Sequence, residues 1–257
     1  MLPHVADRPL SIVRCPEGTK GACFYQKHLS AGMAGPVRTV PIEDSSGTSA
    51  YVTISDVAGL VALVQFGVLE IHPWNARNTD VDSADRLIFD LDPSPEVGWA
   101  EVVAATRAVK QRLDAVGLTS FLKTTGGKGM HVVVPLAPAV GWDVAKSFAK
   151  ALADTMAAAH PDRYIAKMSK AARTGKIFLD YLRNQHGATA VAAYSTRARP
   201  AAPVSTPLDW SELSARIKSD RFHIPDIAKR PKSVWRGYFD VRQTIDAAVA
   251  QKLLRGS

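Results

Sequence analysis

No stretch of this sequence stays apolar long enough to cross a bilayer, which takes about 20 residues, so a helical integral membrane protein is excluded. The first residues, Met-Leu-Pro-His-Val-Ala-Asp, lack the charged start and apolar core of a secretory signal. Cysteine is scarce: Cys15 and Cys23 are the two present, and they are not spaced Cys-x-x-Cys. Such a pair predicts neither a disulfide framework nor a zinc site, and fits a reducing cytosol. Internal repeats and low-complexity tracts are absent as well. Acids are outnumbered, 24 Asp and Glu against 32 Lys and Arg, for a net charge of +8. That balance favours a polyanionic partner such as nucleic acid or a nucleotide. What remains is ordinary globular material, 46% hydrophobic and 22% charged over 257 residues. It is enough for one large domain or two intimate lobes.

The most informative stretch is Arg86-Leu-Ile-Phe-Asp-Leu-Asp-Pro93. Its apolar run predicts a buried strand that Pro93 stops. Asp90 and Asp92 stand two apart, so on a strand their carboxylates share a face. Held close on a buried strand they repel, and one must take a proton unless a cation joins them. Hard oxygen ligands suit Mg²⁺ or Mn²⁺. The plainer reading is a pair of turn-forming aspartates before a proline.

Along the chain, strands are predicted at 10–14, 22–28, 37–42, 51–54 and 69–74, the third and fourth joined by the polar turn 43–48. Phe24 and Tyr25 lie beside Lys27 and His28, a mixture that can stack bases and hold phosphate; the plainer reading is two half-buried strand aromatics. Ser55-Asp56 caps a helix that Gly67 ends. Residues 75–85, with Asp80, Asp82 and Asp85, form a polar, solvated loop that lacks the glycine and final glutamate of an EF-hand. From residue 86 onward the pattern is strand, helix (99–116), strand (118–124), strand (130–136), helix (142–159), strand (176–182), with a further strand at 191–194. Residues 198–207, with three prolines, form an extended segment, and short helices follow. The strand-helix-strand-strand-helix-strand order resembles the ferredoxin-like arrangement, which places its first and third strands side by side at the centre.

Two further groups can join the aspartate pair. In Thr124-Thr-Gly-Gly-Lys-Gly-Met-His131 the glycines let backbone N–H groups converge on an anion, Lys128 adds charge, Thr125 a hydroxyl and His131 an imidazole. It is not a Walker A loop, and a hairpin turn with a solvated lysine is the plainer reading. Asp180 sits inside the apolar strand Ile177-Phe-Leu-Asp-Tyr-Leu182, where a charge is costly unless paired, and can supply a third carboxylate. Arg183, Arg197 and Arg199 follow, with the fork geometry that suits phosphate. Three carboxylates beside a basic, glycine-lined pocket are the equipment of nucleotidyl transfer, with two metals about 3.5–4 Å apart activating a 3′-hydroxyl and stabilising pyrophosphate.

These motifs together resemble the polymerase domain of bacterial ATP-dependent DNA ligase D, in the archaeo-eukaryotic primase superfamily. The resemblance covers nearly the whole chain and is carried by Arg8-Pro-Leu-Ser-Ile-Val-Arg-Cys-Pro16, Phe24-Tyr-Gln-Lys-His28, Phe89-Asp-Leu-Asp-Pro93, Thr125-Gly-Gly-Lys-Gly-Met-His131, Phe178-Leu-Asp-Tyr-Leu-Arg-Asn184 and Ala192-Ala-Tyr-Ser-Thr-Arg-Ala-Arg-Pro200. It implies an α+β primase-polymerase fold, with a ferredoxin/RRM-like catalytic sheet (86–257, ending in a helical tail) packed against a smaller N-terminal α/β lobe (1–85). It implies template-directed nucleotidyl transfer that fills gaps and extends ends in double-strand break repair by non-homologous end joining. The substrates would be gapped or broken DNA and nucleoside triphosphates, with ribonucleotides preferred. The cofactor would be two Mn²⁺ or Mg²⁺ ions, and Ku and a DNA ligase would be partners in a bacterial, nucleoid-associated cytoplasmic setting.

By the same resemblance Asp90, Asp92 and Asp180 are the catalytic metal ligands. Thr125, His131 and Arg197 hold the triphosphate, with Lys128 and Arg183 as additions, and His72 lies by the nucleotide's sugar or phosphates. Phe24 contacts the template or nascent base pair, and Lys27 joins it as a DNA-binding residue. Two departures stand out. Thr125 replaces the family's usual serine but keeps the hydroxyl. Family members also usually begin several dozen residues earlier, with a helical segment whose lysine grips the 5′-phosphate of a gap, and Met1 falls inside that usual sequence. Two other functions share some of these features: a non-catalytic module that bridges DNA ends, and a haloacid-dehalogenase-like phosphatase, whose signature is also Asp-x-Asp after a strand.

Overall fold

A computed structural model describes residues 1–30, 32–33, 35–44, 47–169, 171–231 and 234–255. The tip of the turn expected at 43–48, residues 45–46, lies outside the described residues. A first sheet holds β1 (Leu10–Arg14), β2 (Phe24–Gln26), β3 (Arg38–Asp44), β4 (Gly47–Thr53) and β5 (Val68–Pro73). The short helix α1 (Leu2–Val5) precedes it, and α2 (Val57–Gln65) lies between β4 and β5. β1 is the middle strand. β5 runs antiparallel along one edge, while β2 and β4 take up the other. The Asp56 carboxylate caps α2 by accepting from the Gly59 N–H at 2.8 Å. Gly67, at φ 73°, ends the helix in the left-handed region that an L side chain avoids.

The second sheet follows from periodicity. β6 (Ser83–Pro93) alternates: Leu87, Phe89 and Leu91 are buried on one face, and Ile88, Asp90 and Asp92 share the other. Two long helices cover the apolar face. α3 (Trp99–Ala115) presents Val102, Val109 and Leu113, and α4 (Trp142–Ala159) presents Phe148, Leu152 and Met156 at helical spacing. β7 (Phe121–Thr124), β8 (Met130–Gly141), β9 (Tyr164–Ile165), β10 (Ile177–Asp180) and β11 (Pro207–Leu208) complete the sheet in the order β11-β7-β8-β6-β10-β9. The four strands of the expected ferredoxin-like unit therefore lie as β7-β8-β6-β10, and its first and third members, β6 and β8, are the central pair. α5 (Ile224–Lys229) and α6 (Ala247–Arg255) belong to the tail, as the sequence predicts.

Two buried arginines join the sheets. Arg8 forks onto the Asp85 carboxylate and donates to the Ala76 carbonyl at 3.0 Å. Arg86 donates to the Trp74 carbonyl at 3.0 Å and to Asn75 Oδ1 at 2.9 Å. Trp74, 1% exposed, sits in a core shared by both sheets.

Five expectations need correction. Cys15 and Cys23 form a disulfide. The β1–β2 register ends at Arg14 opposite Phe24, so the next residue outward on each strand is a cysteine, and their Cα atoms stand 4.4 Å apart. Asp85 is not solvated loop, because Arg8 and Arg77 pair with it. Tyr25 is not half-buried: it is 70% exposed, against 46% for Phe24. Residues 191–194 form no strand, since Tyr194 takes φ 69°. Residues 198–207 fold back as a turn that bridges Thr196 to Val204, and are not extended.

Candidate active site

On the sheet face opposite the helices, antiparallel register gathers the ionisable groups. His131 on β8 and Asp180 on β10 are both direct partners of Asp90 on β6, and Lys123 on β7 is the partner of His131. Directly opposed residues share a face, so three carboxylates, an imidazole and an ammonium crowd one patch. Arg183 stands in the first turn after β10, a 3-10 turn over Tyr181–Asn184. Its Nε lies 3.1 Å from Asp90 Oδ2 and 3.2 Å from Asp180 Oδ2. His131 Nε2 lies 3.3 Å from Asp90 Oδ1. On the far side, Arg173 approaches Asp92 at 3.8 Å while its guanidinium covers the Phe178 ring.

Charge is unevenly settled among the acids. Burial opposes ionisation of Asp90, but the imidazole of His131 and the guanidinium of Arg183 outweigh it and hold the carboxyl well below its ordinary range. Asp92 and Asp180 are both pushed up, by burial and by the neighbouring Asp90 charge, although Arg183 partly offsets this at Asp180. Burial, reinforced by Lys123, brings His131 down to about 4, so the ring is neutral at pH 7. Burial also drives Lys123 well below the ordinary lysine value.

The glycine loop is built around Thr125. Its Oγ1 accepts from the N–H groups of Gly127 and Gly129, at 3.1 and 3.3 Å, and lies 2.9 Å from Ser219 Oγ. The Gly126 N–H goes to the Ser219 carbonyl. These amides, which the sequence assigns to an incoming anion, are spent inside the protein, so the loop is a rigid wall. A Cβ on Gly129 would stand 1.9 Å from the Leu91 carbonyl oxygen, and one on Gly126 2.8 Å from Arg197 Cγ. Glycine at both places lets the loop press against β6 and lets Arg197 lie across it, donating to the Thr125 carbonyl at 2.8 Å.

A polar cavity of about 380 Å³ opens between the two sheets. Of the sequence-predicted residues, Asp90, Asp92, His72, Thr125, Lys128, His131, Arg183, Arg197 and Arg199 line it. Asp180 abuts it through Asp90 and Arg183 without lining it. Phe24 and Lys27 lie outside it: the Arg14 guanidinium stands 5.6 Å from the Phe24 ring, and Lys27 Nζ is 5.9 Å from the Tyr51 ring. Tyr25 takes the place beside the cavity, its ring 6.0 Å from that of His72. The sequence alone misses Glu70, Lys123 and Ser219 around the site, and singles out Phe24 where the structure places Tyr25. The alternation of a strand was the available signal for Tyr25, whereas Ser219 lies 94 residues from the Thr125 it supports.

Among the described residues no three carboxylate, imidazole or thiol groups are arranged as a ready-made metal cage. The donors nonetheless fit a hard divalent ion. Three carboxylates come from adjacent strand positions, and at Asp92 and Asp180 the neighbouring guanidiniums do not offset burial and the Asp90 charge. No helix among the described residues is long and apolar enough to cross a membrane.

The sequence profile of the primase-polymerase domain of LigD matches residues 1–236. The multifunctional non-homologous end joining protein LigD of Pseudomonas aeruginosa is 40% identical over 262 residues, covering all of this chain and 31% of that protein. The protein of the same name from Mycolicibacterium smegmatis is 32% identical over 216 residues, 83% of this chain and 28% of the relative. The chain thus spans about a third of these relatives' lengths. The polymerase domain of Mycobacterium tuberculosis Ligase D, solved in complex with DNA, superposes with a TM-score of 0.83 at 31% identity, over 90% of this chain and 83% of that one.

Proposed function

The chain belongs to the LigD primase-polymerase domain family, and on that footing we propose that it is a template-directed nucleotidyltransferase that fills gaps and extends ends in non-homologous end joining. The observation that carries this reading is the meeting of Asp90, Asp92 and Asp180 at one edge of a basic cavity walled by Thr125, Lys128, His131 and Arg197. Residues 86–257 act as the catalytic lobe and 1–85 as the smaller lobe that packs against it. Asp90, Asp92 and Asp180 would hold two divalent ions, Mn²⁺ or Mg²⁺, which would supply Lewis-acid charge for the attacking hydroxyl and the leaving pyrophosphate.

The chain's own groups do the rest by position and charge. Lys128 and Arg197 receive triphosphate oxygens over the wall that Thr125 stiffens. His131, neutral and hydrogen-bonded to Asp90, fixes that carboxylate. Arg183 holds Asp90 and Asp180 together. His72 lies by the sugar or phosphates, and Phe24 and Lys27, exposed outside the cavity, meet the template strand. DNA ends, nucleoside triphosphates with ribonucleotides preferred, Ku and a DNA ligase are the partners of this reading, which places the protein at the nucleoid in the bacterial cytoplasm. Incubation with labelled gapped DNA, Mn²⁺ and each nucleotide tests it. Primer extension that is lost in Asp90→Ala supports the proposal. A shifted but unextended band points to an end-bridging module, and ester hydrolysis without extension to a phosphatase.

A further inference from the structure

Glu70 belongs to none of the motifs above, yet it is buried, with 6% of its side chain exposed, behind the cavity wall against His72 and Arg197. It stands two residues before His72 on β5, so the two side chains share a face. Its Oε2 accepts from His72 Nε2 at 2.7 Å and from Arg197 Nε at 2.9 Å, and its Oε1 accepts from the Ala198 N–H at 2.7 Å. One carboxylate therefore ties a strand of the first sheet to the arginine that lies across the glycine loop of the second.

The protonation states make this tie directional. Burial opposes charge on Glu70, but His72 and Arg197 bring it down to about 2, so it only accepts hydrogen bonds. Burial lowers His72 from its ordinary value, so the ring is neutral and carries one N–H. An imidazole that donates from Nε2 to a carboxylate has no proton on Nδ1. Arg197 is constrained in the same way: Nε goes to Glu70 and Nη1 to the Thr125 carbonyl at 2.8 Å.

We propose that Glu70 is a positioning residue that locks His72 in its Nε2–H tautomer and aims Arg197, so that the cavity offers an incoming nucleotide one fixed acceptor and one fixed cation. The assignment of a nucleotide to this cavity rests on the proposed function; the lock itself does not.

Glu70→Gln tests it. A carboxamide has one oxygen for three donors, His72 Nε2–H, Arg197 Nε–H and Ala198 N–H, so the lock opens while the shape is kept. In imidazole ¹⁵N–¹H spectra, with His72 assigned by its absence in His72→Gln, the wild type shows a single Nε2–H tautomer and Glu70→Gln a mixture. In primer extension, KM for the nucleotide rises about tenfold or more, kcat changes less, and affinity for gapped DNA is unchanged. A wild-type His72 protonated on Nδ1 overturns the proposal, whatever Glu70→Gln shows. So does a Glu70→Gln protein with the wild-type tautomer and KM. A wild type that shows the lock but extends no primer overturns the polymerase reading instead.

Discussion

Asp90 and Asp180 are direct partners across the antiparallel β6–β10 pair, and a single guanidinium, that of Arg183, lies within 3.2 Å of both carboxylates. Two opposed buried acids would otherwise repel. Arg183 is the counter-ion that the fold supplies to both.

Arg183→Met therefore uncovers the repulsion. In EDTA its melting temperature falls by several degrees, and Mn²⁺ restores a larger share of the loss than the wild type gains from the same addition. Equal Mn²⁺ responses in thermal melts of the two proteins would rule out the counter-ion role.

Asp92 gives a signed pH prediction. Its folded pKa is raised above 3.8 by burial and by Asp90. A carboxyl of this kind adds stability only below its unfolded pKa, and the contribution is lost as pH rises through the folded value. At pH 7 without divalent ions, Asp92→Asn thus melts slightly higher than wild type, and the advantage shrinks as pH falls through the folded value and is lost below the unfolded value of 3.8. The same variant loses extension. A lower melting point at pH 7 contradicts the account.

Asn184, fully buried, replaces a strand where β10 has turned away. Its Oδ1 accepts from the Ile88 N–H at 2.7 Å and its Nδ2 donates to the Ile88 carbonyl at 2.8 Å. Asn184→Leu strands both backbone groups and costs about 2–4 kcal/mol in urea unfolding. A loss below 1 kcal/mol would show that this side-chain rung of the ladder is dispensable.

Thr125 separates hydroxyl from shape. Thr125→Ser keeps the acceptor for Gly127 and Gly129 and retains near-normal extension. Thr125→Val removes it, loosens the wall beneath Arg197 and raises nucleotide KM about tenfold. Matching kinetics for Ser and Val variants would refute the hydroxyl's role.

Much of this arrangement was legible in the sequence, for a physical reason. The period of two that buries Leu87, Phe89 and Leu91 also places Asp90 and Asp92 on the open face, and the helix periods at 99–115 and 142–159 dictate which face is covered. Long periodic elements announce themselves; register and strand phase do not. The Cys15–Cys23 bond depends on how β2 slides against β1, and a three-residue strand is too short to show that Tyr25, not Phe24, takes the cavity side. Glu70 reads as an ordinary alternating polar residue until residues 195–198 fold back onto it, more than a hundred positions later. Residues 191–194 look like a strand because they are apolar, but that apolarity serves burial of a turn.

The account stands on three carboxylates sharing divalent ions beneath a nucleotide. Crystals soaked with Mn²⁺ and a non-hydrolysable nucleoside triphosphate, measured at the manganese edge, test it directly. Anomalous peaks touching Asp90, Asp92 and Asp180 together, with Arg183 moved off at least one carboxylate, are the predicted result. Manganese bound without Asp180, or elsewhere on the surface, would contradict it.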